Sequence, residues 1–198
     1  MTHIPTGAAT IAPPLRLAVV IGSSRQGRFA PAVAEWLLAR AEVRPDLTVT
    51  VVDVGALDLP HIFGAPAPEA AATGAALADA DAFVIVTPEY NHSYPAALKN
   101  LIDAHGREWQ AKPGGFVSYG GMSGGLRAVE HLRGVFAELH TVTVRDTVSF
   151  HNPWRSGAEP GGLAADEGAD IAAKTLLDQV VWWGEALRAA RAVRPYGR

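Results

Sequence analysis

Five short apolar runs recur along the chain, with helical patterns between them. They are Leu15 to Ile21 (LRLAVVI), Thr48 to Val54 (TVTVVDV), Asp81 to Thr87 (DAFVIVT), Gly115 to Tyr119 and Thr141 to Val148 (TVTVRDTV). Runs of this length, apolar on both faces, suit the strands of a parallel sheet covered by helices. Between the first two, Phe29, Val33, Trp36, Leu37 and Ala41 keep a 3.6-residue period and give one apolar face. Pro95 reads as a first helical residue, since the N–H it lacks would be unpaired there, and Leu98, Leu101 and Ile102 continue on one side. Leu126, Val129, Leu132, Val135 and Phe136 repeat the pattern just after a glycine pair. A last helix is predicted from Asp166 to Val193, with Leu176, Val180, Trp183 and Leu187 on its buried stripe.

Strand and helix in alternation, ending on a helix, is the doubly wound α/β pattern. Right-handed crossovers leave few topologies. Five strands favour a flavodoxin-like parallel sheet of order 2-1-3-4-5 with helices on both faces, rather than a six-stranded dinucleotide fold. Residues 1–14, with three prolines and no Lys or Arg, read as a disordered tail, and 15–198 as a single domain. The Gly/Pro-rich stretch Pro153 to Gly162 reads as a surface loop before the last helix.

Composition narrows the chemistry. With 198 residues, 48% of them apolar and 19% charged, the chain can bury a full core. A net charge of −3 and the absence of any basic run exclude the electrostatic footprint of a nucleic-acid binder or a membrane-surface protein. Leu17 to Ile21 is too short for a signal segment or a span, so a cytoplasmic location is expected. Cysteine is absent, which removes disulfides, thiolate metal sites and a cysteine nucleophile. Redox chemistry then requires a bound cofactor. The seven histidines lack metal-ligand spacing, and His92 and His105 read as polar surface or loop residues. Trp182 and Trp183 are adjacent on a helix and cannot both face one core, so one is available for a subunit interface.

In open parallel sheets, ligands bind beyond the carboxyl ends of the strands. Three loops of unusual composition fall there. The first, Gly22-Ser23-Ser24-Arg25-Gln26-Gly27-Arg28, offers backbone N–H groups at a helix start, two hydroxyls and two guanidinium groups, all suited to phosphate oxygens. A solvated helix-capping turn has the same composition. The spacing approaches a nucleotide-triphosphate loop, but Arg28 and Phe29 replace the lysine and the hydroxyl that such a loop needs. A monophosphate fits better. The second loop, Thr87 to Pro95 (TPEYNHSYP), combines polar and aromatic groups that suit a planar heteroaromatic ring, or else a rigid turn with a cap at Ser93 or Tyr94. The third, Ser118 to Gly125 (SYGGMSGG), has four glycines in six residues, which allows close approach of a ligand or merely a flexible connection.

Taken together, these segments resemble the NADPH-dependent FMN reductase family, flavodoxin-like enzymes that include chromate, quinone and azo-dye reductases. TPEYNHSYPAALKNLIDA is similar to the family's P-E-Y-N-x-S-x-P-x-x-L-K-N-x-I-D segment. GSSRQGR resembles its phosphate loop, and KPGGFVSYGGMSGGLRA its K-P-x-x-x-x-S-x-G-x-x-G-G-x-R-A segment. The resemblance runs from about Leu15 to Val148. It implies FMN phosphate at Ser23, Arg25 and the backbone of Gln26, Gly27, Arg28 and Phe29. Pro88, Glu89, Tyr90 and Asn91 would line the isoalloxazine, with Ser118, Gly120 and Gly121 closing on it. Many members carry a second serine where this chain has Arg28.

The activity implied is transfer of electrons from NADPH or NADH to the flavin and then to a small acceptor (quinone, azo compound, metal oxyanion or free flavin). The kinetics would be ping-pong, with no catalytic side chain, since a flavin carries the chemistry itself. A homodimer or homotetramer is also implied. Two other readings stand beside it. An FMN electron carrier or redox sensor would use the same fold without turnover. A serine hydrolase would use Gly121-Met122-Ser123-Gly124-Gly125 as a nucleophile elbow, with Asp146 and His151 following in the right order.

Overall fold

The computed structural model of the chain describes residues 13–57, 68–155, 163 and 166–197. Among these residues, six strands and five α-helices follow one another, in alternation except that β6 directly follows β5: β1 (Leu15–Ile21), α1 (Ala30–Ala41), β2 (Leu47–Asp53), α2 (Pro68–Asp79), β3 (Ala82–Pro88), α3 (Ala96–Ala104), β4 (Pro113–Gly120), α4 (Leu126–Glu138), β5 (Val142–Thr143), β6 (Val148–His151) and α5 (Glu167–Val193). The sheet is parallel with order β2-β1-β3-β4-β5, and β6 also pairs with β4. This is the expected doubly wound, flavodoxin-like arrangement. The expected tail lies almost wholly outside the described residues, as does most of the expected loop after Pro153. Among the described residues no helix is long and apolar enough to cross a membrane.

Strand alternation divides the core between the two faces of the sheet. Leu17, Val19, Val84, Val86 and Val117 face α1 and α5, meeting Val33, Leu37, Leu176 and Val180. Ala18, Val20, Phe83, Ile85 and Phe116 face the other helices, meeting Leu77, Leu98, Leu101, Leu132 and Phe136. Full burial of each large aliphatic or aromatic side chain contributes roughly 1.5–3 kcal/mol, so both faces hold the sheet.

The predicted fifth strand is divided. Val144 still donates to the Gly114 carbonyl (2.9 Å), but the chain then leaves the ladder and rejoins β4 at Val148. The charged Arg145-Asp146 step cannot be sandwiched between two helix layers, and Arg145 is turned out to solvent. The carbonyls of Val144 and Arg145 accept from Arg133 (both 2.8 Å), and the Asp146 N–H is taken by the Gln179 side chain (3.2 Å).

Three further expectations are corrected. Pro95 caps α3 rather than beginning it; its φ and ψ of −62° and 143° are extended, and its carbonyl accepts from Leu98 and Lys99. Trp183 is not in the core: it and Trp182 are both exposed, with rings edge to face at 5.0 Å. The buried stripe of α5 holds the expected Leu176 and Val180 together with Leu177 and Val181, and continues through Gly184 rather than Trp183. At Gly184 a Cβ would lie 2.6 Å from Leu15 Cδ2, so the helix approaches β1 too closely for a side chain there. His105 is buried at the end of α3, and burial pushes its imidazole below the usual range, keeping it neutral.

Candidate active site

The loops leaving β1, β3 and β4 meet at one edge of the sheet, beyond the carboxyl ends of the strands. The first leaves β1 at Gly22, whose N–H donates to the Val86 carbonyl (2.8 Å), and turns through Gly27 at φ +66°. Within it, the N–H groups of Ser24, Gln26 and Gly27 have no acceptor among the described residues. Arg25 is exposed and makes no ion pair there; its guanidinium lies 5.9 Å from the centre of the Tyr90 ring. Unclaimed amides at a helix start beside a free cation form a donor set for an oxyanion.

Arg28 plays a different part. Its guanidinium pairs twice with Asp53 (2.5 and 2.6 Å) and also donates to the Ser23 carbonyl, which pins the loop to the end of β2. Its charge is balanced by that carboxylate. Ser23 is fully buried, and its hydroxyl shares a hydrogen bond with that of Tyr90 (2.9 Å). Ser23 therefore ties the first loop to the second.

The second loop begins where the Glu89 N–H donates to the Tyr119 carbonyl (3.0 Å). Tyr90 and Ser93 then exchange two backbone hydrogen bonds (2.8 and 3.0 Å) around Asn91 and His92, both at positive φ. Asn91 tolerates that conformation well, and it sits exposed at the hairpin tip.

The third loop folds back on Ser118, whose buried hydroxyl donates to the Gly124 carbonyl (2.9 Å). Gly125 has φ +93°, and a Cβ there would lie 2.6 Å from Ser118 Cβ and 2.8 Å from Tyr119 N, so only glycine fits. The Glu89 carboxylate joins this loop to the second one. It accepts from the Ser123 hydroxyl, the Arg127 N–H (3.3 Å) and the Arg127 guanidinium (2.9 Å). Burial pushes the Glu89 carboxyl up, but these donors outweigh it and hold it below the usual range, so it is ionised.

Between the loops lies a cavity of about 430 Å³, lined by Arg25, Phe29, Pro88, Glu89, Tyr90, Tyr119, Gly120, Gly121 and Trp154. Sequence reasoning named Arg25, Phe29, Pro88, Glu89, Tyr90, Gly120 and Gly121. Gln26 and Gly27 belong to the first loop but not to the cavity wall. Ser23, Arg28 and Ser118 stand behind the wall and fix its loops, and Asn91 lies outside it. Tyr119 and Trp154 were missed. Tyr119 falls between two motif positions, and Trp154 sits in what read as a surface loop; an aromatic residue at the carboxyl end of a central strand was the available signal for the former.

The hydrolase arrangement is not assembled. Ser123 donates to Glu89, while Asp146 is held by Gln179 and by Arg145 (2.6 Å).

A sequence model of NADPH-dependent FMN reductases matches residues 15–155, a span that contains all three loops. The chain belongs to the NADPH-dependent FMN reductase family. Among the relatives of this family member, a 2-hydroxy-1,4-benzoquinone reductase from Burkholderia sp. is 34% identical over 177 residues, covering 85% of this chain and 96% of that protein. An NADPH:quinone oxidoreductase from Arabidopsis thaliana is 32% identical over 169 residues, covering 79% and 85%. The fold is shared with the flavoenzyme NAD(P)H:(acceptor) oxidoreductase FerB from Paracoccus denitrificans (TM-score 0.69, 24% identity, 87% of this chain and 98% of that one). The reductase is thus an enzyme of the flavoprotein class.

Proposed function

We propose that the protein holds FMN in this cavity and passes electrons from NADPH or NADH to a small acceptor of the quinone type by a ping-pong mechanism. The observation that carries the reading is the polarity of the cavity. The first loop brings Arg25 to the wall, with unclaimed amides beside it in the same loop; the second and third bring Pro88 to Tyr90 and Gly120 and Gly121. The first loop suits a phosphate and the other two a flat ring. A Cβ at Gly120 would press on Gly125 N at 3.0 Å and on Glu89 Cβ at 3.4 Å, so the glycines keep the ring cradle open and its loops close. Relatives named as quinone reductases favour a quinone among the acceptors.

FMN supplies hydride acceptance and onward electron transfer when bound. The chain's own residues position it. Arg25 and the amides of Ser24, Gln26 and Gly27 hold the phosphate. Glu89, through Ser123 and Arg127, fixes the distance between the two loops that flank the ring. The Gly121 N–H, which has no acceptor among the described residues, is available to negative charge developing at the ring edge. Among the titratable groups of the wall, Glu89 is committed to its loop contacts and burial keeps the Tyr119 phenol protonated, so no side-chain base is assigned. A homodimer or homotetramer is part of this reading, and the exposed Trp182–Trp183 pair offers apolar surface for the contact.

Steady-state kinetics with NADPH and 1,4-benzoquinone test the cycle. Parallel double-reciprocal lines are expected; intersecting lines would exclude ping-pong, and stoichiometric reduction without turnover would make the protein a carrier.

A further inference from the structure

The chain leaving β6 is tied to the third loop at two points. The Asn152 N–H donates to the Gly120 carbonyl (2.7 Å), and the Asn152 side-chain amide donates to the Gly121 carbonyl (3.3 Å). Asn152 turns the chain there at φ +45°, a left-handed conformation that asparagine tolerates better than most side chains. Just beyond the turn Pro153 is buried and Trp154 reaches the cavity wall. None of the three sequence motifs includes Asn152.

These contacts fix the direction of one peptide group. The Gly120–Gly121 peptide is trans, so its N–H points opposite to its carbonyl. That carbonyl is held by the chain that continues β6. Residues 117–119 of β4 pair with both β3 and β6, so those two strands lie on opposite edges of β4. The Gly121 N–H is therefore turned to the β3 side, toward the second loop, whose Pro88, Glu89 and Tyr90 share the cavity with Gly120 and Gly121. It has no acceptor among the described residues. The side-chain contact to the Gly121 carbonyl holds the next peptide as well, which resists rotation of this N–H out of the site.

We propose that Asn152 is a positioning residue for the reductase reaction: it holds the Gly121 N–H toward the bound flavin and so raises the flavin's reduction potential. The proposal rests on the FMN site described above. The hydride that a nicotinamide delivers carries two electrons and one proton, and it leaves the flavin with one added negative charge. A fixed N–H dipole stabilises that charge without having to reorganise.

The test is the midpoint potential of FMN bound to wild type, Asn152→Gly and Asn152→Ser. It is read on FMN-loaded protein freed of unbound flavin, by anaerobic equilibration with a reference dye, with thermal melts alongside. Glycine keeps the left-handed turn and the backbone N–H and removes only the side-chain donor. The serine hydroxyl stops one bond short of that donor, and Asn152→Gly decides where the two variants differ. Loss of the hydrogen bond should weaken binding of reduced relative to oxidised flavin about three- to tenfold, which lowers the potential by about 15–30 mV. An unchanged potential with FMN bound would overturn the role of Asn152 and leave the site standing, even where the melting temperature falls. A raised potential would also overturn it, since the N–H would then not be meeting the added charge. Wild type that takes up no FMN would overturn the site itself, and this role with it.

Discussion

Arg25 is the perturbation that bears most directly on the cofactor site. Two arginines flank the first loop, and the structure separates their roles. Arg28 is tied to Asp53 by two hydrogen bonds, whereas Arg25 has no carboxylate partner among the described residues. Arg25→Ala should therefore remove the free positive charge facing the phosphate. A charge-assisted hydrogen bond contributes about 1.5–3 kcal/mol. Because Arg25 is exposed, the lower part of that range applies, so FMN binding should weaken roughly 10- to 30-fold. The loss should shrink as salt is added, since exposed charges are screened. Fluorescence titration with FMN and with riboflavin separates phosphate recognition from ring binding, and riboflavin affinity should not change. Arg28→Ala should behave differently, lowering thermal stability by leaving Asp53 without its partner. An Arg25→Ala protein with unchanged FMN affinity, or with equal losses for both flavins, would refute the assignment of the phosphate end.

Three other outcomes are expected. Glu89 is held below the usual carboxyl range, so its contribution is complete above about pH 4.5 and is lost as pH falls through its folded value; Glu89→Gln should lower the melting temperature at pH 7, with the gap to wild type closing in acid, and a gap constant with pH would contradict this. Burial pushes the Lys112 ammonium down to about 8 although it donates to the carbonyls of Leu77 (2.8 Å) and Ala78 (2.9 Å). An unfolded lysine titrates near about 10.4, so the unfolded chain binds more protons between these values and stability rises with pH there; melts of wild type against Lys112→Met from pH 8 to 10 should move in favour of wild type, and a flat difference would show that the two carbonyls fully sustain the charge. Gly125→Ala should cost about 1–3 kcal/mol, because its Cβ meets Ser118 and Tyr119 backbone at positive φ; FMN retention and melting temperature should fall together, and an unchanged melt would mean that the loop refolds freely.

Much of the fold was legible because its signals are local. Leu15–Ile21 is apolar apart from Arg16 and forms the strand expected there, and the last helix starts within one residue of the expected Asp166, which caps it by accepting from the Ala169 N–H. The divided fifth strand was not legible, since its apolar alternation hides the charged step that Arg133 and Gln179 draw out of the ladder. Nor was α2 placed residue by residue: its sequence, PEAAATGAALAD, lacks a stripe of large apolar residues. Trp183 looked like core because periodicity does not reveal that α5 touches Leu15 through a glycine. At the site, loop composition located the cavity, but it did not distinguish a hydroxyl facing a ligand from one joining two loops, as at Ser23. Arg28 and Arg25 read alike in the chain and differ only because β2 ends in Asp53.

The visible absorption spectrum of the purified protein, taken anaerobically before and after NADPH, tests the central reading most directly. A flavin spectrum is expected, from one FMN per chain released on denaturation, and it should bleach when NADPH or NADH is added. Colourless protein that takes up no added FMN would contradict the cavity assignment, and a flavin spectrum that neither nicotinamide changes would contradict the reductase activity.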